Sequence, residues 1–383
     1  MDHGGETPTR RQPRSLDASR RLAPSGARPG ESIPLTGKPL RILALLPLLA
    51  LLAACGGETD IRRHRIAVFG TETTLTIRSS GTVDTAAVVT RVDRELQRLH
   101  RDWHAWEPGM LGEINRAIAA GNPIALSPQA VRVIEEAAQL ERRSGGRFNP
   151  AIGRLLALWG FHASSLPEGP PPPSDEIERL VALSPSMSDL DIRDGTLTSR
   201  NPAVQLDFGA YLKGLAVERA LQILAEAGIE HAIVNAGGDL GAIGRRGHRP
   251  WRAAVAHPDG EGGRYLGTVE VNPGEFVFTS GNYRRYRQHE GVRHGHILDP
   301  RDGYPADHVS SVTVIHGDGG EADAAATALA VAGTEEWPVV AAGLGVDAVL
   351  RVEADGSITA TTAMASRVTW QGRPGKIRVV SLP

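Results

Sequence analysis

The 383-residue chain has one cysteine, three lysines and few aromatic residues. A single thiol excludes both a disulfide framework and a multi-cysteine metal site, because each requires several thiols at set spacings. The 42 Lys and Arg residues nearly balance the 44 Asp and Glu residues. No basic excess is therefore available to neutralise a nucleic acid. The remaining composition is that of a globular protein, whose length allows about two or three domains.

No apolar run is long enough to span a bilayer, which takes about 18 residues. Residues 42–54 are apolar, follow Lys38 and Arg41, and end in small residues before Cys55. This order is typical of an export signal, and the junction resembles a bacterial lipobox, in which the cysteine is lipidated. We therefore expect a signal peptide over 38–54 and a lipid anchor on the periplasmic or other extracytoplasmic side of a membrane. The alternative is a buried core helix that ends in an ordinary cysteine.

The 37 residues before this signal are rich in Arg, Pro, Gly and Ser and have no hydrophobic period. They are expected to form a disordered extension, or to arise from a misassigned start codon. Residues 55–383 carry 34 basic and 40 acidic residues, which argues against tight binding to anionic lipid. The proline-rich stretch 167–173 predicts a surface linker within this domain, near 165–175.

Helix and strand patterns mix without regular βαβ alternation, and several strands have the spacing of hairpins. This combination predicts an α+β fold with largely antiparallel sheets. The predicted helices are 84–103, 128–144, 213–227, 322–332 and 335–344. Residues 65–78 are predicted to form paired strands or one bulged strand. The other predicted strands are 190–197, 204–208, 232–235, a series within 251–314, 348–352 and 367–380.

Residues 206–214 (LDFGAYLKG) place Asp207 at a predicted strand end and Lys213 at a helix start. Because the chain otherwise uses arginine, a lysine here indicates a need for a compact, movable ammonium group. An exposed lysine in a first helical turn is the equal alternative.

Residues 234–241 (VNAGGDLG) form a strand that runs into a glycine-rich turn. Such a turn allows backbone amides to approach a phosphate, but a plain hairpin or bulge fits equally well. The order of glycines differs from the dinucleotide-binding fingerprint.

Asp323 and Thr327 lie four residues apart in a predicted helix that is otherwise rich in alanine. Both oxygens therefore project from one helical face, and they are hard ligands suited to Mg²⁺. A helix-capping aspartate with a back-bonded threonine is the even alternative.

Residues 279–283 (TSGNY) and 294–303 (HGHILDPRDG) are rich in turns and bring histidine close to carboxylates. Histidine transfers protons near neutral pH. The spacing of His289, His294 and His296 does not match a zinc motif.

Together these segments, with Gly70-Thr71 and residues 148–161 (FNPAIGRLLALWGF), resemble the ApbE family of FAD:protein FMN transferases over residues 65–355. The resemblance implies a T-fold-like α+β architecture, FAD as substrate, Mg²⁺, and transfer of FMN through a phosphoester to a threonine of an exported acceptor protein. It implies a metal site at Ala210, Asp323 and Thr327 and proton transfer by His296. The flavin-site candidates that it implies are Phe69, Trp106, Leu158, Trp159, Gly160, Asp207, Lys213 and Leu298.

The chain departs from the family pattern at four positions: Asn149 and Asn282, usually aspartate, Gly295, often serine, and Asp302, often threonine. None of these is a proposed metal ligand. The loss of two carboxylates leaves open an Mg²⁺-dependent FAD pyrophosphatase that releases FMN and AMP. A non-catalytic flavin-binding or assembly protein is the third alternative.

Overall fold

The computed structural model describes residues 60–79, 83–258, 264–283, 285–372 and 375–383. The expected signal peptide, its N-terminal extension and Cys55 lie outside the described residues. The helices are α1 (Thr85–Asp102), α2 (Met110–Ala120), α3 (Pro128–Arg143), α4 (Gly153–Leu158), α5 (Ser174–Ala182), α6 (Leu212–Glu226), α7 (Gly319–Val331), α8 (Trp337–Leu344) and α9 (Thr362–Ala365).

The first strands are β1 (Asp60–Val68), β2 (Thr71–Ser79), β3 (Ile124–Ala125), β4 (Leu190–Arg193), β5 (Thr196–Ser199), β6 (His231–Ala236), β7 (Asp239–Ile243), β8 (Trp251–Ala256) and β9 (Tyr265–Val271). The later strands are β10 (Phe276–Gly281), β11 (Tyr286–His289), β12 (Val292–Gly295), β13 (Val309–His316), β14 (Ala348–Glu353), β15 (Ile358–Thr361), β16 (Val368–Trp370) and β17 (Ile377–Val380).

One large sheet organises the fold, with the order β1-β2-β6-β7-β10-β13-β14-β15-β17. Its described pairs are antiparallel apart from β15 and β17, which confirms the expected α+β class with largely antiparallel sheets. Helix α6 packs on β6, β7 and α7, and α7 packs on β10 and β13. The main apolar core lies between these helices and the sheet. A second core joins the sheet to the smaller sheet β16-β9-β8.

Local capping explains where two of the predicted helices begin. The Asp84 side chain accepts a hydrogen bond from the Ala87 amide at 3.1 Å, and Ser127 accepts one from the Ala130 amide at 3.2 Å. Each bond satisfies an amide that the first helical turn leaves without a partner. Proline at the first position of α3 adds a preset φ angle. These two helix predictions are confirmed.

Two tight hairpins position loops at one end of the large sheet. Val68 pairs with Thr71 around a two-residue loop, and Ala236 pairs with Asp239 around Gly237-Gly238. Both residues of each loop have positive φ, which matches the twist of paired strands. The glycine-rich segment is therefore a hairpin, and residues 65–78 lie in paired strands, the first of their two predicted alternatives.

Two strand predictions are wrong in detail. Residues 204–208 alternate buried and less buried side chains but form only an isolated bridge, between Gln205 and Ile152. Their amides bond instead to loop carbonyls and to the Asn115 side chain, so no sheet forms. Residues 367–380 contain two short strands, β16 and β17, in different sheets.

Several elements were not predicted from the sequence: α2, α4, α5, α9, β3 and β15. Residues 167–173 lie outside helices and strands, as expected for a linker. Within the described ranges, no helix is both long and apolar enough to cross a membrane.

Candidate functional site

A charge cluster of half-buried Lys213 and buried Asp239 and Asp323 forms where α6 and α7 begin beside the β6–β7 hairpin. The Lys213 ammonium donates to Asp239 Oδ2 and lies 3.9 Å from Asp323 Oδ1. Both carboxylates are only 3% exposed. The Thr279 amide donates to Asp239 Oδ1 at 2.9 Å. Four sequence motifs far apart in the chain therefore meet in this Lys213 cluster.

The close approach of α6 and α7 explains how Asp323 reaches this position. A Cβ on Gly214 would overlap the carbonyl oxygen of Gly319, and a Cβ on Gly320 would overlap the Tyr211 ring. Glycine at these positions lets the two backbones touch, so that the Gly214 amide donates to Asp323 Oδ2 at 3.1 Å. The helix contact thus fixes the carboxylate against the first turn of α6.

Burial raises the pKa of Asp323 to about 6, the nearby Lys213 ammonium opposes this rise, and Asp239 adds to it. Two carboxylates that share one ammonium favour a further positive charge, because burial disfavours uncompensated anions. The electrostatics of the cluster therefore suit a cation next to Asp323.

Thr327 lies one helical turn after Asp323, as its spacing predicts, and its hydroxyl is 2.9 Å from the Ser280 hydroxyl. Ala210 lies in the turn before α6, four residues before Gly214. A carboxylate, a hydroxyl and a main-chain carbonyl are hard oxygen donors, so the donor types fit Mg²⁺. The described part of the chain has no group of three or more His, Cys, Asp or Glu side chains arranged to hold a metal.

A row of five rings runs from the β1–β2 hairpin to the segment after α4: Phe69, His100, His104, Trp106 and His162. Successive centroids are 4.4 to 5.2 Å apart, and the last two rings are stacked at 22°. Phe69 has a φ of 55°, which is unusual for a bulky residue. Trp106 is 41% exposed and lines a cavity of about 510 Å³, together with Arg116 and Arg154. This ring row offers an aromatic wall beside an open cavity.

Asp207 does not face the cavity as a free carboxylate. Its Oδ2 is 2.8 Å from His162 Nε2, and its Oδ1 accepts the Gly209 amide at 2.7 Å. Burial would raise the pKa of Asp207, but the hydrogen bond and charge of His162 outweigh it and the pKa is lowered. Asp207 therefore orients His162 within the ring row.

His296 follows β12 and is held through its backbone and its ring by one carbonyl. Its amide and its Nδ1 both lie 3.1 Å from the Arg285 carbonyl oxygen. Since a carbonyl only accepts, Nδ1 carries the proton and Nε2 keeps a lone pair. Burial is the main cause that lowers the pKa of His296 to about 4. The charges of Arg285 and Lys213 act in the same direction, and the hydrogen bond to the Arg285 carbonyl and the charge of Asp207 oppose them. The ring is therefore a neutral base at pH 7.

The structure places Trp159 and Leu298 inside a small apolar cluster with Ile177 and Leu180. The Trp159 indole is fully buried and donates to the Gly303 carbonyl at 2.8 Å. Leu158 lies at the edge of the same cluster. This cluster holds the turn at Gly160, whose φ is 80°. These candidates thus lie in a packed support behind the ring row.

The departures from the family pattern have local structural partners. Asn149 donates to the Pro185 carbonyl and accepts the Ala151 amide, both at 2.9 Å. Asn282 donates to the Ala306 carbonyl and accepts the Ile297 amide at 3.3 Å. A Cβ on Gly295 would overlap the Asn282 amide group, so these two departures accommodate each other.

Two other carboxylates near His296 are committed to loop structure. Asp299 forms a bidentate ion pair with Arg301 at 2.6 to 3.1 Å, and the Arg301 guanidinium also reaches Glu336. Asp302 is exposed and accepts the Tyr304 amide at 2.9 Å. His296 is therefore better suited than either carboxylate to accept a proton.

Four polar residues of the site were not singled out from the sequence: Asp239, Ser280, His162 and Arg285. Asp239 and Ser280 lie within motifs that were recognised, so the motifs themselves carried the signal. His162 follows directly after the recognised segment 148–161. Arg285 has no distinguishing signal, because arginine is the dominant basic residue of the chain.

Comparison with known proteins identifies a shared family. A model described as the ApbE family matches residues 69–350. A Rhodobacter capsulatus protein named FAD:protein FMN transferase is 47% identical over 290 residues, which are 75% of this chain and 55% of that protein. The chain thus spans about half the length of that relative. A Vibrio cholerae protein of the same name is 30% identical over 82% of this chain and 94% of its own length.

Solved structures agree with this family. The crystal structure of the ApbE protein from Thermotoga maritima superposes with a TM-score of 0.74 at 28% identity, covering 81% of this chain and all of that chain. The flavin transferase ApbE from Vibrio cholerae gives a TM-score of 0.71 at 27% identity, with 81% and 99% covered.

Proposed function

The chain belongs to the ApbE family, and we propose that it transfers FMN from FAD to a threonine hydroxyl of an exported acceptor protein. The observation that carries this proposal is His296, a neutral imidazole within electrostatic range of Lys213 in the Lys213 cluster and of Asp207 beside the ring row. In the proposed step, the threonine oxygen attacks the phosphorus on the FMN side of the pyrophosphate. The bond from this phosphorus to the bridging oxygen breaks, and AMP leaves with that oxygen. The hydroxyl proton passes to His296.

His296 supports this step through its tautomer and its pKa. The Arg285 carbonyl fixes the proton on Nδ1, so Nε2 is available to accept the proton of the acceptor hydroxyl. A pKa of about 4 keeps the ring neutral throughout the physiological range. His296 thus serves as the general base.

The Lys213 cluster supports binding of a divalent cation and of the pyrophosphate. We propose that Asp323, Thr327 and the carbonyl of Ala210 hold Mg²⁺, because their donor types fit it and the buried carboxylates lack full charge compensation. Bound Mg²⁺ would offset the negative charge that builds on the departing AMP. Lys213 contributes a positive charge from the first turn of α6.

The ring row supports binding of the flavin. The exposed Trp106 ring offers a face for stacking, and the adjacent cavity of about 510 Å³ has room for part of a dinucleotide. His162 and Asp207 hold the Trp106 ring from behind. Flavin contact at Phe69 and Trp106 is accordingly part of the proposal.

We also propose that lipidation of Cys55 tethers the protein to the extracytoplasmic face of a membrane. The support is the order of basic residues, short apolar run, small residues and cysteine in the sequence. A tether at this surface would bring the site close to exported acceptor proteins.

The test is one incubation of the protein with FAD and Mg²⁺, with and without a panel of exported proteins from the same cell. Flavin fluorescence that persists on a denaturing gel detects covalent FMN, and chromatography of the supernatant detects free FMN and AMP. A labelled acceptor supports transfer. Free FMN and AMP without label would identify a pyrophosphatase, and unchanged bound FAD would identify a binding protein. Asp323→Ala and an acceptor with threonine replaced by valine are the controls.

A further inference from the structure

Arg285 contacts both the segment that carries the last ring of the ring row and the proposed base, His296. Its guanidinium Nη2 donates to the carbonyls of Phe161 and Ala163, each at 2.7 Å. These two residues flank His162, so the contacts fix the segment that carries the His162 ring. The side chain of Arg285 therefore anchors one end of the ring row.

The backbone of the same residue anchors the base. The Arg285 carbonyl accepts from both the amide and Nδ1 of His296. Every movement of the Arg285 backbone would therefore move the imidazole. The guanidinium resists such movement because its Nη2 bonds to two carbonyls of one segment.

A third contact joins Arg285 to the aromatic wall. Its Cζ lies 5.9 Å from the Trp106 ring centroid, within the range of a cation–π interaction. Trp106 also stacks on His162, which Asp207 orients. The half-buried Arg285 side chain thus contacts Trp106 and holds the residues on both sides of His162.

We propose that Arg285 is a positioning residue that holds the His296 imidazole and the Trp106–His162 ring pair in one fixed arrangement. The expected effect of Arg285 on catalysis rests on the function proposed above, because this arrangement would align His296 with the phosphate of the flavin. The charges of the Arg285 guanidinium and of Lys213 lower the pKa of His296, and the charge of Asp207 raises it. Loss of the guanidinium should therefore change both the alignment and the titration of His296.

Arg287 provides a matched control on the same hairpin. Its guanidinium also donates to carbonyls, those of Trp159 at 2.9 Å, Gly169 at 3.2 Å and Pro170 at 2.6 Å. These contacts hold the linker and the support behind the ring row. Arg287→Met removes a comparable buried guanidinium without touching the backbone that holds His296.

The experiment titrates the His296 imidazole by NMR in the full chain without substrate, with assignment by His296→Asn. We expect Arg285→Met to raise the pKa of His296, Arg285→Lys to keep it near the wild-type value, and Arg287→Met to leave it unchanged. The proposal is overturned if Arg285→Met titrates as the wild type, or if Arg287→Met shifts His296 equally.

Single-turnover transfer and melting temperature are measured on the same preparations. We expect Arg285→Met to lower kcat/KM for FAD by about 10- to 100-fold, because small misplacements of reacting groups are costly. Arg285→Lys keeps the charge but is shorter and lacks the planar guanidinium that lies over Trp106, so it should be slower than the wild type despite its normal titration. Transfer at the wild-type rate in both variants would contradict positioning. A wild-type protein that binds FAD without transferring FMN would refute the proposed function, while the titration still decides the role of Arg285.

Discussion

The replacement His296→Asn removes the proposed base while keeping a side-chain N–H able to donate to the Arg285 carbonyl. The wild-type ring has a pKa of about 4, so at pH 7, about three pH units higher, it is almost entirely neutral. A positioned base contributes about 10²- to 10⁴-fold, so we expect single-turnover transfer to fall at least ~100-fold with FAD binding retained. The wild-type kcat/KM should fall as pH drops through about 4, and this limb should be absent from the residual activity of the variant.

The same pKa predicts a difference in stability. The folded-state pKa of about 4 lies below the ordinary value of 6.5, so protonation favours the unfolded state. The stability that the neutral ring contributes is complete above pH 6.5 and is lost as pH falls towards 4. A shift of this size corresponds to about 3 kcal/mol. The wild-type free energy of unfolding should therefore fall by about this much more than that of His296→Asn over the same range.

Urea denaturation at both ends of this pH range, FAD affinity and single-turnover transfer test these expectations on one preparation. Near-normal transfer by His296→Asn would refute the reasoning. Transfer lost only in step with FAD binding or folding would also remove His296 from the chemistry and direct attention to Asp302.

Three further predictions concern other parts of the chain. Asp323→Ala should nearly abolish Mg²⁺-dependent turnover with the fold intact, and Thr327→Ala should have a milder effect; Mg²⁺ titration of turnover would contradict this if Asp323→Ala matched the wild type. Cys55→Ser should remain soluble or retain its signal, and equal membrane retention on fractionation would rule out the lipid anchor. Gly295→Ala should destabilise by about 1–3 kcal/mol, because its methyl overlaps the Asn282 amide; urea denaturation should show partial recovery when Asn282→Ala is added, and no recovery would refute the overlap.

Features set by local sequence were predictable. The caps at Asp84 and Ser127 mark helix starts because a short polar side chain satisfies free amides within three residues. The spacing of Asp323 and Thr327 determines that they share one face of α7, since four residues make about one helical turn. Asp323 and Thr327 followed as candidate cation donors from this local rule, whereas Ala210 was implied only by the family resemblance.

Features set by tertiary contact were not predictable. Residues 204–208 alternate like a strand, but their amides find partners in loops, which a pattern of apolar residues does not reveal. The ion pairs of Lys213 join residues far apart in sequence, so only the packing of α6 on β7 and on α7 brings them together. Arg285 is one of many arginines, and its role depends on which carbonyls lie within reach.

The most direct test of the account is the stoichiometry of AMP released to FMN bound covalently to the acceptor, measured by chromatography and by intact mass after incubation with FAD and Mg²⁺. The account predicts one AMP for each FMN attached, with the attachment abolished when the acceptor threonine is replaced by valine. Release of AMP without any gain in acceptor mass, or a gain in mass that survives the valine replacement, would contradict it.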